Sequence, residues 1–93
     1  MKIVISKNVA KYFKKLSNDK VSRQLIAKMG QLSEEPFPND SKYLKGKLSG
    51  AYRVDSGEYR IVYTVNDEIV NIVLIGKRND STVYKIMERI GIS

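Results

Sequence analysis

The stretch "AYRVDSGEYRIVYTVNDEIVNIVLIG", Ala51 to Gly76, constrains the fold more than any other part of the chain. Three runs rich in Val, Ile and Tyr are separated by Ser56-Gly57 and Asn66-Asp67, pairs that suit tight hairpin turns. The pattern predicts a three-stranded antiparallel meander with strands at Ala51 to Val54, Tyr59 to Val65 and Ile69 to Ile75. Such a sheet must bury one face, and the rest of the chain has to cover it.

The preceding residues supply that cover. "KIVIS" has the β-branched content of a first strand, and Asn8 is placed to cap a helix in which Val9, Tyr12, Phe13 and Leu16 form an apolar stripe. Lys11, Lys14 and Lys15 fall elsewhere on that helix. Asp19 is placed to cap a second helix with Val21, Leu25, Ile26, Met29 and Leu32 on one side and Lys20, Arg23 and Lys28 outward. The short connection predicts a helical hairpin, and the two prolines of "SEEPFPND" end it. After the meander, "NDSTVYKIMERIG" offers Asp80 or Ser81 as the cap of a short last helix that carries Tyr84 and ends near Gly91. The order β-α-α-β-β-β-α describes a small α+β fold, an antiparallel sheet packed against a helical hairpin, as one domain over residues 1–93.

A turn at Ser56-Gly57 sets Asp55 opposite Glu58, Val54 opposite Tyr59 and Arg53 opposite Arg60. Like charges directly opposite cost up to ~1 kcal/mol. Phosphate would relieve the conflict, because guanidinium groups match its oxygens with paired donors. Three alternatives stand beside that reading: the arginines splay into solvent, Asp55 and Glu58 screen them, or the turn shifts by one residue and changes the pairing. Lys45 and Lys47 lead into the meander, and Lys77 with Arg78 leave it, so further cations would ring one end of the sheet. Tyr59 and Tyr63 share strand parity with Ile61 and Val65 and belong to the core; Tyr12 belongs to the helix stripe, and Tyr43 and Tyr52 are open.

The formal net charge of +7 and a pI near 9.7 point to a polyanionic partner. Residues 1–47 hold 11 Lys or Arg against 4 Asp or Glu, whereas residues 48–93 hold 6 of each. Bulk positive potential therefore belongs to the helices and loop, and any site on the sheet is a local concentration. Cysteine and histidine are both absent, which rules out disulfides and thiolate chemistry and removes the commonest metal ligand. No metal and no cofactor are expected. No apolar run approaches a membrane span, and the "IVI" after Lys2 is too short for a signal-peptide core, so a cytoplasmic protein is expected.

From Leu44 to Tyr84, the "YR…GEYRIVY" segment, the "GKR" after the last strand and a tyrosine six residues beyond that arginine resemble the RelE branch of the RelE/ParE toxin superfamily. The resemblance implies a ribosome-dependent endonuclease that cleaves mRNA in the decoding site and is silenced by a cognate antitoxin. Carried over by position, Arg53 stands where RelE has a catalytic lysine, and Arg60 matches the strand arginine that holds phosphate. Arg78 matches the arginine after the last strand, and Tyr84 the tyrosine assigned as base. Lys45, Lys47 and Lys77 join them as candidate phosphate-binding residues. Asp55 departs from the pattern, standing where the best-known member has a second lysine.

RNA supplies its own nucleophile, the 2′-OH, so positioning and charge stabilisation without a metal can provide most of the rate. A tyrosine with an ordinary pKa of about 10 becomes a stronger candidate base when cations favour its phenolate. Arg78, whose guanidinium pKa exceeds about 12, is expected to stabilise charge first. Two other functions remain open on the sequence: a ParE-like toxin that blocks DNA gyrase by binding, and an inactive basic RNA-binding relative.

Overall fold

The computed structural model describes residues 1–44 and 50–77. Lys45, Lys47, Arg78, Tyr84 and the last helix expected from the sequence lie outside the described residues. Within them the order is β1 (Lys2–Ile5), α1 (Lys7–Lys15), α2 (Asp19–Glu34), β2 (Lys42–Tyr43), β3 (Tyr52–Ser56), β4 (Tyr59–Asn66) and β5 (Ile69–Lys77). The strands form one sheet in the order β1-β5-β4-β3-β2. The meander β3-β4-β5 is antiparallel as expected, while β1 joins the far edge parallel to β5. A parallel neighbour needs a crossover, and here the two helices and the first meander strands provide it.

Both helices begin earlier than the sequence pattern predicts. Ser6, not Asn8, caps α1, its hydroxyl accepting from the Val9 amide at 3.2 Å. Asn18, not Asp19, caps α2 and accepts from the Val21 amide at 3.2 Å, which leaves Asp19 in the first turn where the helix dipole favours a carboxylate. The Ser6 hydroxyl also donates to the Val73 carbonyl at 2.9 Å. Val73 is the extra residue of a bulge: the β4–β5 register passes from Val62↔Leu74 to Tyr63↔Ile72 and skips it. The bulge reverses the alternation along β5, so that Val70 and Ile72 before it and Ile75 after it all reach the core that the helices cover.

That core is built from Val9 of α1, Leu25, Met29 and Leu32 of α2, and Val54, Ile61, Tyr63, Val70, Ile72 and Ile75 of the sheet. Tyr12, Phe13, Leu16, Val21 and Tyr59 pack around it, as the stripe and parity arguments require. Ile26 departs from its stripe and is 56% exposed. The opposite, outer face is not bare either, since Val62 and Leu74, paired across β4 and β5, are both buried.

Both turns fall one residue later than expected. Ser56 pairs with Tyr59 and Asn66 with Ile69, so the loops are Gly57-Glu58 and Asp67-Glu68. Gly57 has φ 61° at the first loop position while Glu58 stays at negative φ, the pattern a type II′ turn with leading glycine demands. Asp67 and Glu68 both take positive φ, 51° and 61°, as in a type I′ turn, without a glycine to ease it.

Candidate nucleic-acid interface

Moving a hairpin turn by one residue moves every cross-strand pair by two. Faces are preserved and partners change. Arg53 and Arg60 therefore still share the outer face of the sheet, but they do not oppose each other: Arg53 faces Val62, and Arg60 faces Asp55. The expected pairs Val54 with Tyr59 and Asp55 with Glu58 are likewise replaced, Val54 lying opposite Ile61. The arginines are diagonal neighbours, a relation that in a regular ladder spans roughly 7–8 Å.

Two rows of residues cross the outer face at this end. One runs Lys42, Arg53, Val62, Leu74 across β2, β3, β4 and β5, and the other runs Asp55, Arg60, Gly76. Gly76 puts no side chain beside Arg60, so that row is low on the β5 side. Asp55 Oδ1 accepts from Arg60 Nε at 3.0 Å, with the side chains 33% and 15% exposed respectively. Of the alternatives open in the sequence, screening by Asp55 thus holds for Arg60. Glu58 sits in the turn and is exposed.

The like-charge confrontation anticipated for the two arginines exists one strand over. Lys42 lies directly opposite Arg53, and among the described residues neither side chain has a hydrogen bond or an ion pair. Arg53 is half-buried, Lys42 exposed. Sequence reasoning missed Lys42 because a two-residue strand is too short for alternation to register. Lys77 pairs with Tyr59, so its register assigns it to the helix-side face, away from Arg53 and Arg60, and it is exposed. Lys45, Lys47, Arg78 and Tyr84 fall outside the described residues.

Behind this surface lies an aromatic wall that holds β2 in place. Tyr52 stacks on Tyr63 with centroids 5.8 Å apart and meets Tyr43 and Phe37 edge-on at 5.1 and 4.9 Å. The Tyr63 hydroxyl donates to the Pro36 carbonyl at 2.7 Å, and the Gly50 amide donates to the Tyr43 hydroxyl at 2.9 Å. Burial above all raises the Tyr63 pKa above 10.0, so this phenol is a strut and not a base. Tyr12 is raised in the same way, by burial first and then by Tyr59. The two tyrosines left open by the sequence are thus packing residues.

The fold agrees with what comparison with known proteins finds. Residues 3–82 match the family model described as ParE toxin of type II toxin–antitoxin systems. The chain belongs to that family and so to the RelE/ParE superfamily of type II toxins. Within the superfamily its similarity is to the RelE branch. It is similar to the isolated RelE toxin of E. coli, at 29% identity and TM-score 0.69 over 96% of this chain and 97% of that one. It is also similar to the archaeal RelE–RelB complex of Pyrococcus horikoshii, at 27% identity and TM-score 0.69 over 84% and 94%. The RelBE2 toxin–antitoxin complex of Mycobacterium tuberculosis aligns at 25% identity and TM-score 0.71 over 85% and 92%. No curated protein sequence matches at a significant level.

Proposed function

We propose that this toxin is a ribosome-dependent endoribonuclease that cleaves mRNA in the decoding site, acts in the cytoplasm and is held inactive by a cognate antitoxin. The observation that carries the reading is Arg53 and Lys42, set opposite each other across β2 and β3 with no carboxylate paired to either among the described residues, beside Arg60. A folding protein gains nothing from that pair; an RNA phosphate placed between them would satisfy both. Similarity to RelE toxins solved with and without RelB adds support for the activity and for the antitoxin partner.

In the reaction, the 2′-oxygen attacks the adjacent phosphorus while the bond to the 5′-oxygen breaks, leaving a 2′,3′-cyclic phosphate and a 5′-hydroxyl. Tyr84 takes the 2′-hydroxyl proton, Arg53 and Arg60 share the non-bridging oxygens, and Arg78 stabilises the departing 5′-oxygen, which a proton from solvent completes. Lys42, Lys45 and Lys47 supply further phosphate contacts along the strand, while Lys77, on the helix-side face, does not join them. The roles of Tyr84 and Arg78 rest on the resemblance, and those of Lys45 and Lys47 on their sequence positions leading into the meander. No step requires a metal.

Mapping the 5′ ends of messages after a brief pulse of expression tests the proposal. Cuts confined to translated frames, lost in Arg53→Ala, are the expected result. Intact messages during growth arrest would reject it. The match to the ParE model gives a second reading, gyrase inhibition by binding. A DNA-damage response with intact messages, and gyrase recovered with the protein, would establish that instead.

A further inference from the structure

Phe37 and Tyr43 are the exposed aromatic side chains among the described residues, each with 50% of its surface in solvent. Both meet the same ring, Tyr52, at centroid distances of 4.9 and 5.1 Å. The loop that carries Phe37 is fixed by bonds that do not involve that ring. The Pro36 carbonyl accepts from the Tyr63 hydroxyl, the Ser41 hydroxyl donates to the Pro38 carbonyl at 2.7 Å, and Lys28 bonds Asp40 at 2.9 Å. Pro38 confines the Phe37 backbone to extended conformations, and Pro36 has its own φ locked. Phe37 is thus held in place half in water, and a ligand that covers it has little left to order.

Charge decides what would cover these rings. β2 is the edge of the sheet, and its two residues Lys42 and Tyr43 project to opposite faces. A chain bound at Lys42 and Arg53 therefore reaches Tyr43 and Phe37 by passing around a single strand. Glu34, the last residue of α2, and Glu35, its C-cap, are exposed and lead into the Phe37 loop, so a phosphate over the rings is disfavoured while a flat uncharged ring is not. We propose that Phe37 and Tyr43 form a stacking platform for a nucleobase of the RNA whose phosphates lie on Lys42 and Arg53. The proposal rests on the reading that those two cations receive RNA phosphate. Because every base has a π-face, such a platform anchors RNA without selecting its sequence.

The test uses short single-stranded RNAs at low salt that carry the fluorescent base 2-aminopurine at one position at a time. With wild type, one position is expected to lose its emission on binding, as a stacked 2-aminopurine does. Phe37→Leu, which keeps apolar bulk without a ring, should abolish that quenching and weaken binding at least about fivefold, the lower limit for one stacked base. Replacing the quenched nucleotide by an abasic one should weaken wild-type binding equally and Phe37→Leu binding no further. Tyr43→Phe keeps the ring and gives up only the bond from the Gly50 amide, so its quenching should persist. Absence of a quenched position, additive losses from ring and base, or a wild type that does not bind the RNA would overturn the proposal. Unchanged RNA binding in Phe37→Leu with weaker retention of the antitoxin would assign the rings to a protein partner and overturn it as well. Should Phe37→Leu fold poorly, the quenching and abasic measurements on wild type decide alone. Intact messages beside a quenched base would end the enzymatic reading and keep the platform; cleaved messages without a quenched base would do the reverse.

Discussion

Lys42 and Arg53 are cations that the fold tolerates and does not use. Replacing Lys42 with Ala removes a like-charge pair and is expected to leave stability unchanged or raise it by ~0.2–1 kcal/mol. RNA affinity should fall in the same variant. Urea denaturation beside anisotropy with a short RNA checks both, and a variant that loses stability and affinity together would assign Lys42 a structural role. Tyr63 is the opposite kind of residue, wholly structural. Its folded pKa is raised above the unfolded 10.0, so the stabilisation from burying a neutral phenol is complete below pH 10 and is lost as pH rises through the folded value. Tyr63→Phe gives up the bond to the Pro36 carbonyl, at a cost of about 1 kcal/mol at neutral pH. It should also lose less stability than wild type between pH 9 and 11, as urea unfolding at those two values would read. Tyr12, raised likewise, contributes an alkaline slope that both proteins share.

At the scale of elements, the two hairpin turns make opposite predictions. Gly57 stands at φ 61° with only the Gln24 side chain 3.9 Å from where a Cβ would lie, so Gly57→Ala fits the space and fails on the backbone. The left-handed region costs an L-residue about 1–2 kcal/mol, and a destabilisation in that range is expected. Glu68 already carries that strain at φ 61°, so Glu68→Gly should stabilise by ~0.5–1 kcal/mol, the penalty relieved less the extra chain entropy that glycine loses. Thermal unfolding of the two variants decides, and shifts of the same sign would refute the turn assignment.

These turns also show what was legible beforehand. Alternation at Ile61, Tyr63 and Val65 fixed which face each residue takes, so Arg53 and Arg60 do share a face, though not as the directly opposed pair expected. Turn preference did not fix partners, because Asp67 and Glu68 are poor left-handed residues that only the packing of β4 on β5 holds in place. The bulge at Val73 and the Ser6 cap depend on each other across 67 positions of chain, a relation local pattern does not carry. Lys42 was hidden for a similar reason: β2 exists because Tyr43 and Tyr52 meet, not because its two residues favour a strand.

Over the whole molecule, charge and site are separated. The excess of positive charge lies in residues 1–47, and α1 shows Lys7, Lys11, Lys14 and Lys15 exposed on the side away from Val9, with no acidic residue in its first turn. The cationic pair Lys42 and Arg53 is on the far face of the sheet from that helix. Charges that steer without touching act through the solvent and are screened beyond the Debye length, about 8 Å at 0.15 M salt and about 30 Å at 0.01 M. A triple change of Lys11, Lys14 and Lys15 to Gln is therefore expected to slow RNA association several-fold at 0.01 M salt and to have little effect at 0.15 M. Arg53→Ala should weaken binding at both salts and reduce the slope of log affinity against log salt by about 0.7, the value for one single-strand phosphate contact. Stopped-flow association rates and equilibrium titrations at the two salts separate these cases. An equal loss at both salts from the triple change would mean that α1 grips phosphate directly, and the division between a steering helix and a gripping sheet would have to be abandoned.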